Sequence, residues 1–147
     1  MWGRRLPQWF QNYFAGRFSV CSSLFLSEAD GIEREKEGAF AFNVSSLERA
    51  ILELVEEVPR RTMANEVYQI LELMDALRPE LLQRLLVSCR SVKVKRLFLL
   101  LAEDIGHWWF EKLDLGAIGL GSGCRVVEKG GVFNAKYNLI VRPWREI

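Results

Sequence analysis

Three blocks of this chain mix cations, aromatics and glycines in a way that packing alone does not demand. They are Ser91 to Phe98 (SVKVKRLF), Gly106 to Phe110 (GHWWF) and Leu120 to Gly131 (LGSGCRVVEKGG). Lys93, Lys95 and Arg96 fall in the first turns of an expected helix, where the positive end of the dipole disfavours cations. Two readings are open. An external anion offsets them, helped by the free N–H groups of the helix end, or they pair with acidic side chains elsewhere in the fold.

The run Gly119-Leu120-Gly121-Ser122-Gly123 before Arg125 has the composition of a phosphate loop. Its spacing fails the Walker pattern, and a strand rather than a helix follows. A tight turn needing positive φ is the better reading. His107 is the only histidine, and no nucleophile stands beside it in sequence. It follows Gly106 at a helix end, a packing position. Trp108, Trp109 and Phe110 have the chemistry to stack bases, but such a run beside a short helix is expected in the core. Glu53, Glu56 and Glu57 are expected on the solvated face of a helix.

Cys21, Cys89 and Cys124 are odd in number and widely spaced, which argues against a disulfide framework and a standard zinc site. Cys89 lies on an apolar stripe and reads as a core thiol. No metal, cofactor or catalytic residue is expected, so the expectation is a non-enzyme.

The elements that position these blocks follow from periodicity. A chain of 147 residues, half of them apolar, suits one domain with a real core. Ser45 and Glu48 fit a capping box. Leu47, Ala50, Ile51, Leu54, Val55 and Val58 then recur at helical spacing until Pro59. A second helix is predicted over 64–77. A third starts at Pro79, with Leu81, Leu82, Leu85, Leu86 and Cys89 as its stripe. A fourth runs from Val92 to Ile105, capped by Ser91 and closed by Gly106. It is apolar on most sides and therefore central. A short fifth helix holds Trp109 to Leu113.

Strands are predicted at Phe18 to Phe25, at Ala39 to Val44 (half-buried), and at Arg125 to Glu128 and Tyr137 to Val141. Ser27 to Gly38, charged and containing Asp30-Gly31, reads as a surface loop. Residues 1–14 form an aromatic lead-in that packs on the domain. The expected class is α+β: a small, mostly antiparallel sheet packed against four or five helices.

Charge divides the chain. Residues 1–78 carry 9 basic and 12 acidic side chains, and residues 79–147 carry 11 and 7. The second half could therefore face an anionic partner. The longest apolar run, Leu97 to Ala102, is too short to span a bilayer. No signal peptide follows Arg4 and Arg5. A reducing cytoplasm without membrane contact is the simplest compartment.

From Leu6 to Pro143 the sequence resembles the C-terminal domain of the AbiEi family, antitoxins of type IV toxin–antitoxin (abortive phage infection) modules. The matching signals are LPQWF at Leu6, VSSLERA at Val44, Leu77-Arg78-Pro79, the Lys93-to-Phe98 block and Gly106-His107 with Trp109. Leu113-Asp114-Leu115, Gly121-Ser122-Gly123 with Arg125, Lys129-Gly130-Gly131 and Lys136-Tyr137 complete the series. Trp108 stands where many members have proline, and Cys124 where many have lysine.

The resemblance implies a non-enzymatic antitoxin that counteracts a nucleotidyltransferase toxin without an obligatory complex. An accessory role in transcriptional autoregulation goes with it. Family members usually carry a preceding winged-helix domain. The expectation here is one antitoxin domain over 1–147 without it, with only weak nucleic-acid binding. Lys93, Lys95, Arg96, Arg125, Lys129 and Lys136 are the residues expected to form a basic surface facing nucleic acid or another polyanion. The alternative is a protein–protein interaction module that uses the aromatic N-terminal arm.

Overall fold

The structure, a computed structural model, describes residues 7–19 and 23–145. It is α+β, as expected. A short helix α1 (Gln8–Tyr13) precedes a hairpin of β1 (Ile32–Glu37) and β2 (Phe40–Ser45). Four helices follow: α2 (Leu47–Glu56), α3 (Ala64–Glu72), α4 (Pro79–Ser88) and α5 (Val92–Ile105). Two 3-10 turns, Phe110–Lys112 and Leu115–Ala117, lead into β3 (Arg125–Val126), β4 (Val132–Asn134) and β5 (Leu139–Val141). The last three strands form a sheet in the order β3-β5-β4, parallel on the first side and antiparallel on the second.

Helix α5 is the centre. Every residue from Val94 to Ala102 is buried. Helices α2, through Ile51, Leu52 and Val55, and α3, through Val67 and Leu71, pack on it, and α4 packs on α2 and adds its predicted stripe to the same core. The ends of α5 are those the sequence predicts. The Ser91 hydroxyl accepts from the Val94 N–H, and Gly106 closes the helix at φ 75°.

Several elements differ from expectation. The cap of α2 is Ser46, not Ser45, and accepts from the Arg49 N–H. Ser45 is still in the β2 ladder, opposite Ile32, so its backbone is committed to the hairpin. Its hydroxyl donates to Glu53 instead. Helix α3 stops at Glu72 rather than 77, because Leu73 and Met74 tighten into three-residue turns onto Ile70 and Leu71. The predicted fifth helix is a single 3-10 turn.

The predicted loop 27–38 contains a strand, β1, paired residue by residue with β2 across Gly38-Ala39. Gly38 supplies the positive φ of 60° at the first position of this two-residue turn. The hairpin is solvated rather than half-buried: Phe40 is 80% and Phe42 46% exposed. Residues 20–22 of the predicted strand 18–25 lie outside the described residues. Phe18, Ser19 and Ser23 to Phe25 are not in a strand. Phe25 is nonetheless anchored, its carbonyl accepting from the Arg90 N–H. The described part of the N-terminal lead-in, α1, buries none of its residues, and its rings contact one another.

The C-terminal strands are shorter than predicted, and the sequence reading missed β4 between them. Gly131 is where β4 begins to close on β5. A Cβ there would lie 2.4 Å from the carbonyl carbon of Val141.

Candidate functional site

The six cations separate into two groups. Lys93, Lys95 and Arg96 are built into the first turns of α5. The Lys93 ammonium donates to the carbonyls of Glu56 (2.6 Å) and Val58 (2.9 Å). It lies 3.5 Å from the Glu56 carboxylate, which also accepts from Ser91 Oγ. Lys93 therefore sits at the C-terminal end of α2, where a cation meets free carbonyls and the negative end of the dipole. That offsets its unfavourable place at the start of α5. Burial pushes its pKa down, and Glu56 opposes that shift.

Arg96 is 2% exposed and donates three hydrogen bonds to carbonyls: Nε to Leu120 (2.8 Å), and Nη1 to Gly123 (2.6 Å) and Asn138 (3.1 Å). It ties α5 to the glycine loop and to the turn before β5. That loop points two carbonyls at a guanidinium, whereas a phosphate loop directs its N–H groups at an anion. Gly121 and Gly123 adopt φ of 66° and 76°, the tight-turn geometry expected of them. Lys95 is buried, and its ammonium lies 4.0 Å from the position a Cβ on Gly119 would take.

Arg125, Lys129 and Lys136 are exposed, on the three-stranded sheet and its turns. Lys136 pairs with Glu103 and stands 5.6 Å over the Tyr137 ring. The Tyr137 hydroxyl is buried without a hydrogen bond, and burial together with the Glu103 charge raises its pKa. The sequence reading overlooked Arg142, which joins this exposed basic set beside Lys129.

The aromatic block closes a helix. His107 Nε2 is 2.9 Å from the Leu71 carbonyl, Trp108 Nε1 donates to Asp75 O (2.8 Å), and Trp109 Nε1 donates to Met74 O (2.9 Å). Contact with a carbonyl places the His107 proton on Nε2. Trp108 and Trp109 take carbonyls of the turn after α3, and His107 adds a second contact to the Leu71 carbonyl, which already accepts from the Met74 N–H. Trp109 is fully buried and stacks on Phe98, while Trp108 is 56% exposed. Cys89 is buried, and burial raises its thiol pKa, as suits a core cysteine.

The carboxylates expected on a solvated face are partnered. Glu53 accepts from Ser45 and Arg49, and Glu56 from Ser91. The sequence reading missed the most buried carboxylate node. Glu48, 2% exposed, accepts from the Arg78 backbone N–H (2.7 Å), from its Nε (3.0 Å) and from its Nη2 (2.9 Å). Arg78 Nη2 reaches on to Glu33 of β1 (2.6 Å). Burial works against the Glu48 anion, yet the Arg78 bonds outweigh it and hold the pKa at about 2. Among the described residues no group of three His, Cys, Asp or Glu side chains is placed to hold a metal ion. No helix among them is long and apolar enough to cross a membrane.

Helices α2, α3 and α4 with the buried α5, a hairpin and a small mixed sheet make up an α+β fold whose motif residues mostly serve its own closure. The chain belongs to the AbiEi_3 family, described as transcriptional regulator, AbiEi antitoxin, type IV TA system, which matches residues 1–142. No curated protein and no solved structure gives a match.

Proposed function

We propose that the chain is a non-enzymatic antitoxin that counteracts a nucleotidyltransferase toxin in the cytoplasm, without a stable complex between the two, and contributes secondarily to transcriptional autoregulation. The observation that carries this reading is the family match over 142 residues. The exposure of Arg125 and Lys129 supports a polyanion-facing surface on the three-stranded sheet, with Lys136 beside them. Arg96 contributes to that surface as an internal brace of the loop before it, while Lys93 is held at the end of α2 and Lys95 is buried.

A patch of so few cations supports weak, sequence-indifferent nucleic-acid binding, of about micromolar affinity or poorer at physiological salt. The test is rescue of cells expressing the toxin encoded beside the antitoxin. A triple variant, Arg125→Glu, Lys129→Glu and Lys136→Gln, is expected to fold and to lose rescue. Full rescue by the folded variant refutes the surface. A second reading, docking of a protein partner through the N-terminal arm, is favoured by Trp9 and Tyr13, which are 67% and 75% exposed. Co-purification that survives high salt and disappears with Trp9→Ala would support it instead.

A further inference from the structure

Between the α2–α3 connection and the end of β3 lies a cleft of about 470 Å³, within the size range of small-ligand sites. Three kinds of surface meet in it. Pro59, Met63 and Val126 are apolar, and the last two are 48% and 60% exposed. Lys129 and Arg142 are exposed cations, and the side chain of neither enters an ion pair or hydrogen bond among the described residues. Glu128, also lining the cleft, is 6% exposed.

Glu128 is the unusual member. Its Oε2 accepts from the Arg142 N–H at 3.1 Å, which extends the β5 edge by one bond. Its Oε1 is buried and has no hydrogen-bond partner. No cation stands within ion-pair distance of it among the described residues. A buried carboxylate oxygen left unpaired is costly, and it is satisfied by a donor that enters the site.

A matching ligand offers an N–H donor at one end, a flat apolar body in the middle and an anion at the other end. A nucleotide whose base bears an exocyclic amine has all three. We propose that this cleft binds such a nucleotide, with the base amine donating to Glu128 Oε1, the ring against Met63 and Val126, and the phosphate facing Lys129 and Arg142. Because Oε1 is sealed from solvent, binding requires the carboxylate to turn toward the cleft and give up the Oε2 bond to the Arg142 N–H. Met63, unbranched and half exposed, is the adaptable wall. The site deepens the polyanion reading and rests on it through Lys129, while the role of Glu128 is separate from it.

The test compares cytidine and uridine 5′-monophosphates: uridine has a carbonyl in place of the 4-amine and an N–H in place of the acceptor N3. Each is titrated into the full chain by calorimetry, with inorganic phosphate as the third probe. Cytidine monophosphate is expected to bind at least about tenfold more tightly than uridine monophosphate, the worth of one hydrogen bond to a charged acceptor. Glu128→Gln should remove that preference, and Lys129→Ala should weaken both nucleotides alike.

Should Glu128→Gln not fold, the preference of the unaltered chain and the Lys129→Ala result still decide the matter. A phosphorylated cytidine tetranucleotide that outcompetes the monophosphate assigns the site to a strand end, and equal competition assigns it to a free nucleotide. Equal binding of the two monophosphates, or competition by inorganic phosphate as strong as by cytidine monophosphate, overturns the proposal and leaves the polyanion surface standing. Absence of nucleotide binding at millimolar concentration overturns it as well. Loss of toxin rescue in Arg125 and Lys136 variants that still bind cytidine monophosphate separates the two readings.

Discussion

The Arg96 guanidinium donates to the Gly123 carbonyl at 2.6 Å across 27 positions of sequence, and with the Leu120 bond it joins the central helix to the loop that leads into Arg125. A cation in a motif that invites an anion is here spent on backbone.

Arg96→Met should destabilise the domain strongly. It removes three bonds from a charged donor and leaves the Leu120, Gly123 and Asn138 carbonyls without it. A loss of about 3 kcal/mol in urea unfolding is expected. Protection of the amides of residues 120–126 against hydrogen exchange should fall first. A loss under half a kilocalorie would show that the carbonyls find other partners.

Lys93→Glu distinguishes internal from external use of that cation. The substitution sets a carboxylate against Glu56 and the carbonyls that end α2, so stability should fall by about 1–3 kcal/mol. A free surface position at the start of α5 would gain stability from the same change, since the dipole favours anions there. The sign of the shift in unfolding midpoint decides.

Acid titration should report on Glu48. Its folded pKa of about 2 lies below the ordinary value of 4.5, so the stability it contributes is present above pH 4.5 and is lost as pH falls toward 2. That difference corresponds to about 3 kcal/mol. Glu48→Gln should be less stable at neutral pH, and its stability should change less than that of the unaltered chain across this window. Parallel pH profiles for the two proteins would count against the Glu48–Arg78 node as an acid-sensitive brace.

Trp109→Phe keeps a ring against Phe98 but removes the donor to Met74. The expected cost is about 1–3 kcal/mol, because a part-buried carbonyl loses its partner. Trp109→Ala adds a cavity and should cost about 3–5 kcal/mol. Near-ultraviolet dichroism and thermal melts measure both.

What the sequence reveals here depends on how far apart the cooperating residues lie. Helix α5 is legible to the residue because its signals, Ser91, the apolar stripe and Gly106, are local. The stripe of α4 is legible for the same reason. Strand β1 is not, since its six residues are IEREKE and it buries no apolar face whose period could be read. Arg96 illustrates the limit at the candidate site. Its partners lie 24, 27 and 42 positions away, so no spacing rule could tell a buried brace from an exposed anion contact. Of the aromatic run read as core, Trp108 is 56% exposed and Phe110 half-buried, so adjacency to the helix end does not single out the fully buried ring, which is Trp109. Its Met74 contact, 35 positions distant, is out of reach of that logic.

The exposed hairpin carries a consequence for assembly. The outer edge of β1 alternates Glu33, Arg34, Glu35, Lys36, Glu37, with no further strand on it among the described residues. When two such edges zip together about a two-fold axis, facing side chains share a side of the sheet, so odd positions meet odd and even meet even. A register centred on Arg34, Glu35 or Lys36 sets glutamate against glutamate on one side and arginine or lysine against its like on the other. Like charges placed opposite each other weaken a ladder. The same ribbon that leaves two phenylalanines in water therefore resists pairing with its own copy through that edge, however crowded the molecules are.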